Sequence, residues 1–138
     1  MLVLVDSSAW VEFFLDASPS PTHPLLQLGE EKRIATNALI RVEVLTGARD
    51  ETNYKFLEQR LQELHELPLT EEVWQQAAHL RWTLRRRGLN LPTVDVVIAT
   101  CAMAHECEVL HADRHFALIA RYAPLKIYKS QWMKRAQR

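Results

Sequence analysis

Long apolar runs, cysteine, glycine and proline are all scarce in this sequence. Its 138 residues include two cysteines, three glycines and six prolines, and no run of 18 apolar residues occurs. The scarcity of glycine and proline argues against a collagen-like or low-complexity chain, and the lack of a long apolar run argues against a transmembrane helix. The first apolar run, LVLV, is too short for a signal peptide, and no basic segment precedes it. We therefore expect a cytoplasmic protein with no membrane partner.

The two cysteines do not indicate a disulfide or a metal site. Cys101 and Cys107 lie in the apolar stretch VVIATCAMAHECEVL, and in a cytoplasmic chain buried, reduced thiols are the expected state. Cys101 and His105 are one helical turn apart, but no second ligand pair with the spacing of a zinc site occurs elsewhere. We therefore predict two free thiols in the core.

An excess of charge of either sign is also missing. The 17 basic and 17 acidic residues give a net charge of +0, which argues against a protein that coats nucleic acid through bulk positive charge. The charges are distributed less evenly. Every charged residue after Asp113 is Lys or Arg, and a further cluster of three arginines occupies residues 85–87. That cluster either complements a helix dipole ahead of Gly88 or contacts phosphate.

The hydrophobic pattern predicts strands that alternate with helices. Short apolar runs predict strands at residues 2–5, 33–35, 66–69, 108–111 and 126–128, and periodic stretches predict helices at 9–15, 38–48, 53–66, 71–87 and 93–105. Residues 16–26 are rich in turn formers and are predicted to form a loop. We therefore expect one α/β domain over residues 1–138 with a mostly parallel sheet. In such sheets, ligands bind beyond the carboxyl ends of the strands.

Four carboxylates stand at predicted strand ends or inside apolar helices: Asp6, Glu43, Asp95 and Asp113. Each has an ordinary structural interpretation. Asp6 would cap the next helix, Asp95 would complement a helix dipole behind a Thr93 cap, and Asp113 would lie in a turn. Glu43 interrupts the run LIRVEVL and would need a salt bridge to an arginine, because an unpaired buried charge is costly.

Taken together, the four carboxylates indicate a metal site. If they converge at one edge of the sheet, they repel one another and either take up protons or bind a cation. Mg²⁺ and Mn²⁺ prefer carboxylate oxygens and retain waters. An acidic pocket of this kind is typical of metal-dependent phosphodiester hydrolysis.

The residues around these carboxylates resemble those of a known family. VDSSAWVEFF, Glu43 in IRVEVLTGAR, Asp95 in TVDVVIATCA and Asp113 in LHADRHFALIA occur in the order and spacing of the PIN-domain ribonucleases. More narrowly, the chain resembles VapC-type toxins of prokaryotic type II toxin–antitoxin systems over nearly its whole length. The resemblance implies a three-layer α/β/α domain with a mostly parallel central sheet.

The resemblance also implies roles for particular residues. Asp6, Glu43, Asp95 and Asp113 match the family's catalytic acidic positions, which bind Mg²⁺ or Mn²⁺. Ser7 or Ser8 matches a small hydroxyl residue that supports the metal ligands or contacts phosphate, and Arg114 is a weaker candidate for a phosphate contact.

At position 115 the chain departs from many relatives, which carry an acidic residue there. That departure puts a fifth acidic contribution in doubt. His115 is either a contact for RNA or its leaving oxygen, or an exposed loop histidine, and lone histidines are more often the latter.

The activity implied by the resemblance is a Mg²⁺-dependent endoribonuclease toxin. It would cut structured RNA, tRNA or rRNA, leave 5′-phosphate and 3′-hydroxyl ends and inhibit translation. The resemblance further implies a homodimer and a cognate antitoxin protein that blocks the acidic pocket.

Two other interpretations fit the sequence less well. A metal-assisted phospho-acceptor or Asp-x-Asp phosphatase would need a second acid beside Asp6, where Ser7 and Ser8 stand, and a lysine soon after Asp113, where none occurs before Lys126. A non-catalytic PIN-like module that binds RNA or protein would be expected to have lost one of the four acids, and this chain keeps all four.

Overall fold

The computed structural model describes residues 1–15 and 23–129. Within them the strands are β1 (Val3–Val5), β2 (Ile34–Thr36), β3 (His65–Glu66), β4 (Glu108–Leu110) and β5 (Lys126–Ile127). The helices are α1 (Ser7–Leu15), α2 (Pro24–Glu30), α3 (Ala38–Thr46), α4 (Glu51–Gln62), α5 (Glu71–Arg86), α6 (Thr93–Ala104) and α7 (Arg114–Ala120). The predicted alternation of strands and helices is therefore confirmed.

The five strands form one sheet in the order β3-β2-β1-β4-β5. All four strand pairs are parallel, so the sheet is more uniform than the mostly parallel one predicted. The chain builds outward from β1 in one direction through β2 and β3, and then returns to place β4 on the other side of β1. The boundary between β1 and β4 is thus the switch point of the sheet, where ligands bind in open α/β folds.

Apolar side chains cover both faces of the sheet. Leu4 and Val109 belong to the larger buried cluster, together with residues of α3 to α7. Val3 and Val5 point the other way and pack in a second cluster with Leu28 of α2. Because neighbouring residues of a strand face opposite sides, this division shows helices on both faces. The predicted three-layer α/β/α architecture is confirmed.

Two helices differ from the sequence prediction. The loop predicted at 16–26 is wrong from Pro24 onward, where α2 begins, and residues 16–22 lie outside the described residues. Proline suits the first turn of a helix, and the His23 side chain caps it by accepting from the backbone N–H of Leu25 at 3.1 Å. The second helix, α7, begins directly after Asp113 and was not predicted.

Helix ends follow ordinary sequence preferences. Asn37 and Thr70 cap α3 and α5, and Gly88 has a positive φ of 85° just beyond α5, as a helix-ending glycine does. Cys101 and Cys107 are buried free thiols. No helix in the described ranges has the length and hydropathy to span a membrane. That all 138 residues form one domain stays a prediction.

Candidate metal centre

Asp6 lies at the end of β1, immediately before α1. Its Oδ2 accepts hydrogen bonds from the backbone N–H of Ser8 at 3.0 Å and from the Ser8 hydroxyl at 2.5 Å, so the predicted helix cap is present. The same carboxylate is 2% exposed, and its Oδ1 is buried without a hydrogen-bond partner among the described residues. Capping therefore explains one oxygen of Asp6 and leaves the other free to bind something else.

Ser8 joins the two sides of the switch point. Besides donating to Asp6, its hydroxyl accepts from the backbone N–H of Ala112 at 2.9 Å. The backbone N–H of Asp6 donates to the carbonyl of Leu110 at 2.9 Å. These bonds hold the start of α1 against the turn after β4, so Asp6 has a fixed position relative to Asp113.

Asp95 lies in the first turn of α6, a helix that is buried along most of its length. The predicted Thr93 cap is wrong, because Pro92 occupies the capping position and no side chain of the described residues caps this helix. Asp95 is 8% exposed, and its Oδ2 lies 2.8 Å from Nδ1 of His115. An apolar helix thus presents a single carboxylate to the carboxyl edge of the sheet.

Asp113 and His115 begin α7. Asp113 is the helix cap rather than a simple turn residue, and its Oδ1 accepts from the backbone N–H of His115 at 2.9 Å. The same oxygen lies 3.0 Å from Nδ1 of His115. The interpretation of His115 as an exposed loop histidine is wrong, since the residue is helical, half-buried and in contact with two carboxylates. We expected neither contact because α7 was not predicted.

Glu43 reaches the site from α3. Its Oε1 accepts from the hydroxyl of Ser7 at 3.0 Å, which gives Ser7 a supporting contact of the kind expected from the resemblance. Glu43 is solvent-exposed, as are Val42 and Thr46 beside it. The prediction that it is buried and paired with an arginine is wrong, and the salt bridges among the described residues do not include it. An apolar run in a helix therefore did not indicate burial here.

Electrostatic coupling shows that these carboxylates are close in space. Burial raises the pKa of Asp6 to about 6, against the effect of the Ser8 hydrogen bonds, and the negative charges of Asp95 and Glu43 raise it further. Burial likewise raises the pKa of Asp95, with Asp113 and Glu43 as additional negative neighbours. Each of the four predicted acids therefore interacts with at least one of the others.

The donor set fits a divalent cation. Ligand atoms of Asp95, Asp113 and His115 all lie within 4.8 Å of one another, and the unpartnered Oδ1 of Asp6 adds a further oxygen. Carboxylate oxygens suit Mg²⁺ and Mn²⁺. A cation would also offset the mutual repulsion that adds to the effect of burial in raising the pKa values of Asp6 and Asp95.

His111 supports this edge from beneath. It is fully buried, its Nδ1 accepts from the backbone N–H of Asp113 at 3.2 Å, and its ring lies 5.2 Å from that of Phe116. Burial lowers its pKa to about 4, so the imidazole is neutral near pH 7. It acts on the site by holding the backbone of Asp113.

Arg114 lies beside the acidic site rather than in it. It is exposed and lines a groove of about 490 Å³ together with His115, Asn90 and Arg121. Of the arginines at 85–87, the second and third lie over the rings of Trp82 and Tyr122. The basic residues at 134, 135 and 138 lie outside the described residues.

A separate apolar groove of about 660 Å³ runs between α1 and α4. Its lining includes Trp10, Phe14, Phe56 and Leu64, and the rings of Phe14 and Phe56 are about half exposed. Exposed apolar surfaces of this kind are typical of protein-binding sites.

Comparison with known proteins agrees with this geometry. The model of the PIN domain family matches residues 3–122. Ribonuclease VapC11 of Mycobacterium tuberculosis is 31% identical over 129 residues, which cover 91% of this chain and 96% of that protein.

Solved structures share the fold at lower identity. VapBC2 from Rickettsia felis, bound to a DNA fragment from its promoter, has a TM-score of 0.76 at 20% identity and covers 93% of this chain and 98% of that chain. VapC20 of Mycobacterium tuberculosis, described as a sarcin-ricin loop cleaving toxin, has a TM-score of 0.65 at 15% identity, with 90% and 98% covered.

Proposed function

The chain belongs to the PIN-domain family, and on that premise we propose that it is a metal-dependent endoribonuclease, the VapC-type toxin of a toxin–antitoxin pair. Its substrate would be structured RNA, tRNA or rRNA, and cleavage there would inhibit translation in the cytoplasm. The observation that carries the proposal is the group of neighbouring carboxylates at the switch point, where Oδ1 of Asp6 is buried without a hydrogen-bond partner in the described part of the chain. The 31% identity to a named ribonuclease supports the reaction class.

The acids would act together on one ion. Asp6, Asp95 and Asp113 would hold Mg²⁺ or Mn²⁺, and Glu43 would contribute its charge from the exposed rim of the site. The chemistry that such a cation supplies is activation of water and stabilisation of charge on the phosphate. Ser8 orients Asp6 by donating to its Oδ2, and Ser7 orients Glu43 by donating to its Oε1.

Phosphate binding would use the groove next to the acids. Arg114 and Arg121 line it, and His115 joins it to the carboxylates. Arginines on an open groove beside an acidic site can hold the RNA backbone without neutralising the metal ligands. The net charge of +0 then suits an enzyme that selects a target over one that coats RNA.

Cleavage of total tRNA and rRNA by the purified chain tests the function. We expect discrete cuts with 5′-phosphate ends in Mg²⁺ or Mn²⁺, none in EDTA, and a loss of at least about 100-fold in Asp95→Asn, because even residues that only support metal ligands cost 10–100-fold. Asp50→Asn is the matched control, since Asp50 caps α4 away from the sheet edge. Cuts that need no metal ion would contradict the nuclease. So would the absence of cuts in this RNA pool or in a cell lysate while metal binding is intact. The second outcome would favour an RNA- or protein-binding module.

The partners we propose are a second copy of the chain and a cognate antitoxin. A toxin–antitoxin complex from Klebsiella pneumoniae is among the solved structures that share the fold, and the apolar groove between α1 and α4 offers a surface for an apolar antitoxin segment. Expression of the wild-type chain should arrest growth, and the antitoxin encoded by the neighbouring reading frame should relieve that arrest. The same antitoxin should not relieve the arrest caused by Phe14→Glu. The variant should still cleave RNA, because Phe14 is 49% exposed. Relief of the arrest by both proteins would place the antitoxin elsewhere.

The dimer has a separate test. Sedimentation at 16.0 kDa, the mass of one chain, would exclude it.

A further inference from the structure

The centre contains one nitrogen donor among its carboxylates. We infer that His115 is a metal ligand through Nδ1, so that the site has a mixed nitrogen and oxygen donor set and prefers Mn²⁺, or another divalent transition-metal ion, over Mg²⁺. This inference rests on the proposed metal centre, but it concerns which ion binds and not which bond is cut.

The distances around His115 suit coordination. Nδ1 lies 2.8 Å from Oδ2 of Asp95 and 3.0 Å from Oδ1 of Asp113. In an octahedral shell with bonds of about 2.1 Å, adjacent donor atoms lie about 3.0 Å apart. Nδ1 therefore lies at the spacing of a neighbouring ligand from each of the two carboxylate oxygens.

Hydrogen bonds among the described residues do not satisfy every ligand atom of this centre. Nδ1 carries at most one proton, yet it faces two carboxylate oxygens at hydrogen-bond distance. The Nδ1 proton can therefore serve only one of these oxygens at a time, Asp113 Oδ1 also accepts from the backbone N–H of His115, and the buried Oδ1 of Asp6 has no hydrogen-bond partner among the described residues. A cation that accepts a lone pair from each group satisfies all of them at once.

The ring is already held for this role. The backbone N–H of His115 donates to Oδ1 of Asp113, so the first turn of α7 fixes the ligand and its neighbour together. The side chain is 26% exposed, which leaves an approach for an ion from solvent. Little reorganisation is needed on binding, which favours affinity.

A nitrogen ligand changes ion selectivity. Carboxylates suit Mg²⁺ and Mn²⁺ alike, whereas imidazole suits the transition metals and contributes little to Mg²⁺ binding. Replacing His115 by Asp converts the centre to oxygen donors only. We expect the ratio of the Mg²⁺ to the Mn²⁺ dissociation constant to fall by about tenfold or more in His115→Asp, the lower end of the range for groups that only support a ligand.

Electron spin echo spectroscopy of Mn²⁺ bound to the full chain reads the ligand directly. Nitrogen modulation should be present in the wild type and in His79→Asn, whose exposed histidine lies on α5, and absent in both His115→Asp and His115→Asn. Titration of each protein with Mg²⁺ and Mn²⁺ gives the selectivity ratio, and circular dichroism checks the fold of each variant.

The outcomes separate the inference from the proposed nuclease. Nitrogen modulation that persists without His115, or is absent from the wild type, overturns the inference even if RNA is cut in a metal-dependent manner. Modulation that disappears with His115, together with a lower selectivity ratio, supports it even if no RNA is cleaved.

Discussion

Asp6→Asn should sharply lower RNA cleavage and at the same time stabilise the metal-free protein near pH 7. Cleavage should fall by at least about 100-fold, because Asn keeps the helix cap but removes a charged metal ligand. The stability gain follows from burial, which raises the pKa of Asp6 from 3.8 to about 6. The folded state therefore binds this proton more tightly than the unfolded state, and stability is lost as pH rises from about 4 to about 6.

The size and pH range of this gain are measurable by urea unfolding in EDTA. A shift of about two pKa units corresponds to up to about 3 kcal/mol at pH 7. The Asn variant cannot ionise, so it should show little of the wild-type loss between pH 4 and pH 6, and the two should converge near pH 4. Added Mn²⁺ should stabilise the wild type more than the variant, because the bound ion offsets the negative charge.

Asp50→Asn provides the comparison for a purely structural aspartate. Asp50 caps α4 by accepting from the backbone N–H of Asn53 at 2.7 Å, and Asn is an equally good cap. Its substitution should leave cleavage unchanged. If Asp6→Asn behaved in the same way, capping alone would account for Asp6, and the proposed centre would lose its most buried ligand.

The positions of three of the four acids, Asp6, Asp95 and Asp113, could be predicted because they follow from backbone topology. Asp6 and Asp113 come directly after short buried strands, and parallel strands bring their carboxyl ends to one edge of the sheet. Asp95 was identifiable because a charged side chain interrupts an otherwise apolar helix start. These signals are local, and they survive errors of a residue or two in the element boundaries.

Glu43 shows where the same reasoning fails. The apolar run around it predicted burial, yet Val42 is 63% exposed, because α3 turns this side to solvent at the rim of the site. Periodicity fixes which residues share a helix face, but the elements that cover that face depend on tertiary packing. The Ser7 contact that orients Glu43 joins residues 36 positions apart, and no local pattern indicates it.

His115 could have been identified from a pattern that occurs twice. At Asp6-x-Ser8 and again at Asp113-x-His115, an aspartate caps a helix and accepts a hydrogen bond from the residue two positions later. A helix starting after Asp113 brings the side chain of His115 back toward the sheet edge. The seven-residue length of α7 left too little periodicity for the sequence to predict it.

Phe116→Ala should cost about 3–5 kcal/mol in the free energy of unfolding, the range measured for fully buried phenylalanines. Phe116 is 0% exposed and is the next residue after His115. Its ring also packs against His111, which holds the backbone of Asp113. The cavity would therefore loosen the start of α7, and we expect weaker Mn²⁺ binding at temperatures where the variant is still folded.

Phe56→Ala distinguishes this effect from a general loss of aromatic surface. Phe56 is 53% exposed on α4, and Arg60 lies over its ring at 5.3 Å, so its removal should cost about 1 kcal/mol or less and leave Mn²⁺ affinity unchanged. Thermal unfolding and Mn²⁺ titration of both variants measure the difference. The Phe116 variant could instead lose stability and still bind Mn²⁺ like the wild type. The core beneath α7 would then contribute nothing to the placement of Asp113 and His115, and the sheet edge alone would hold them.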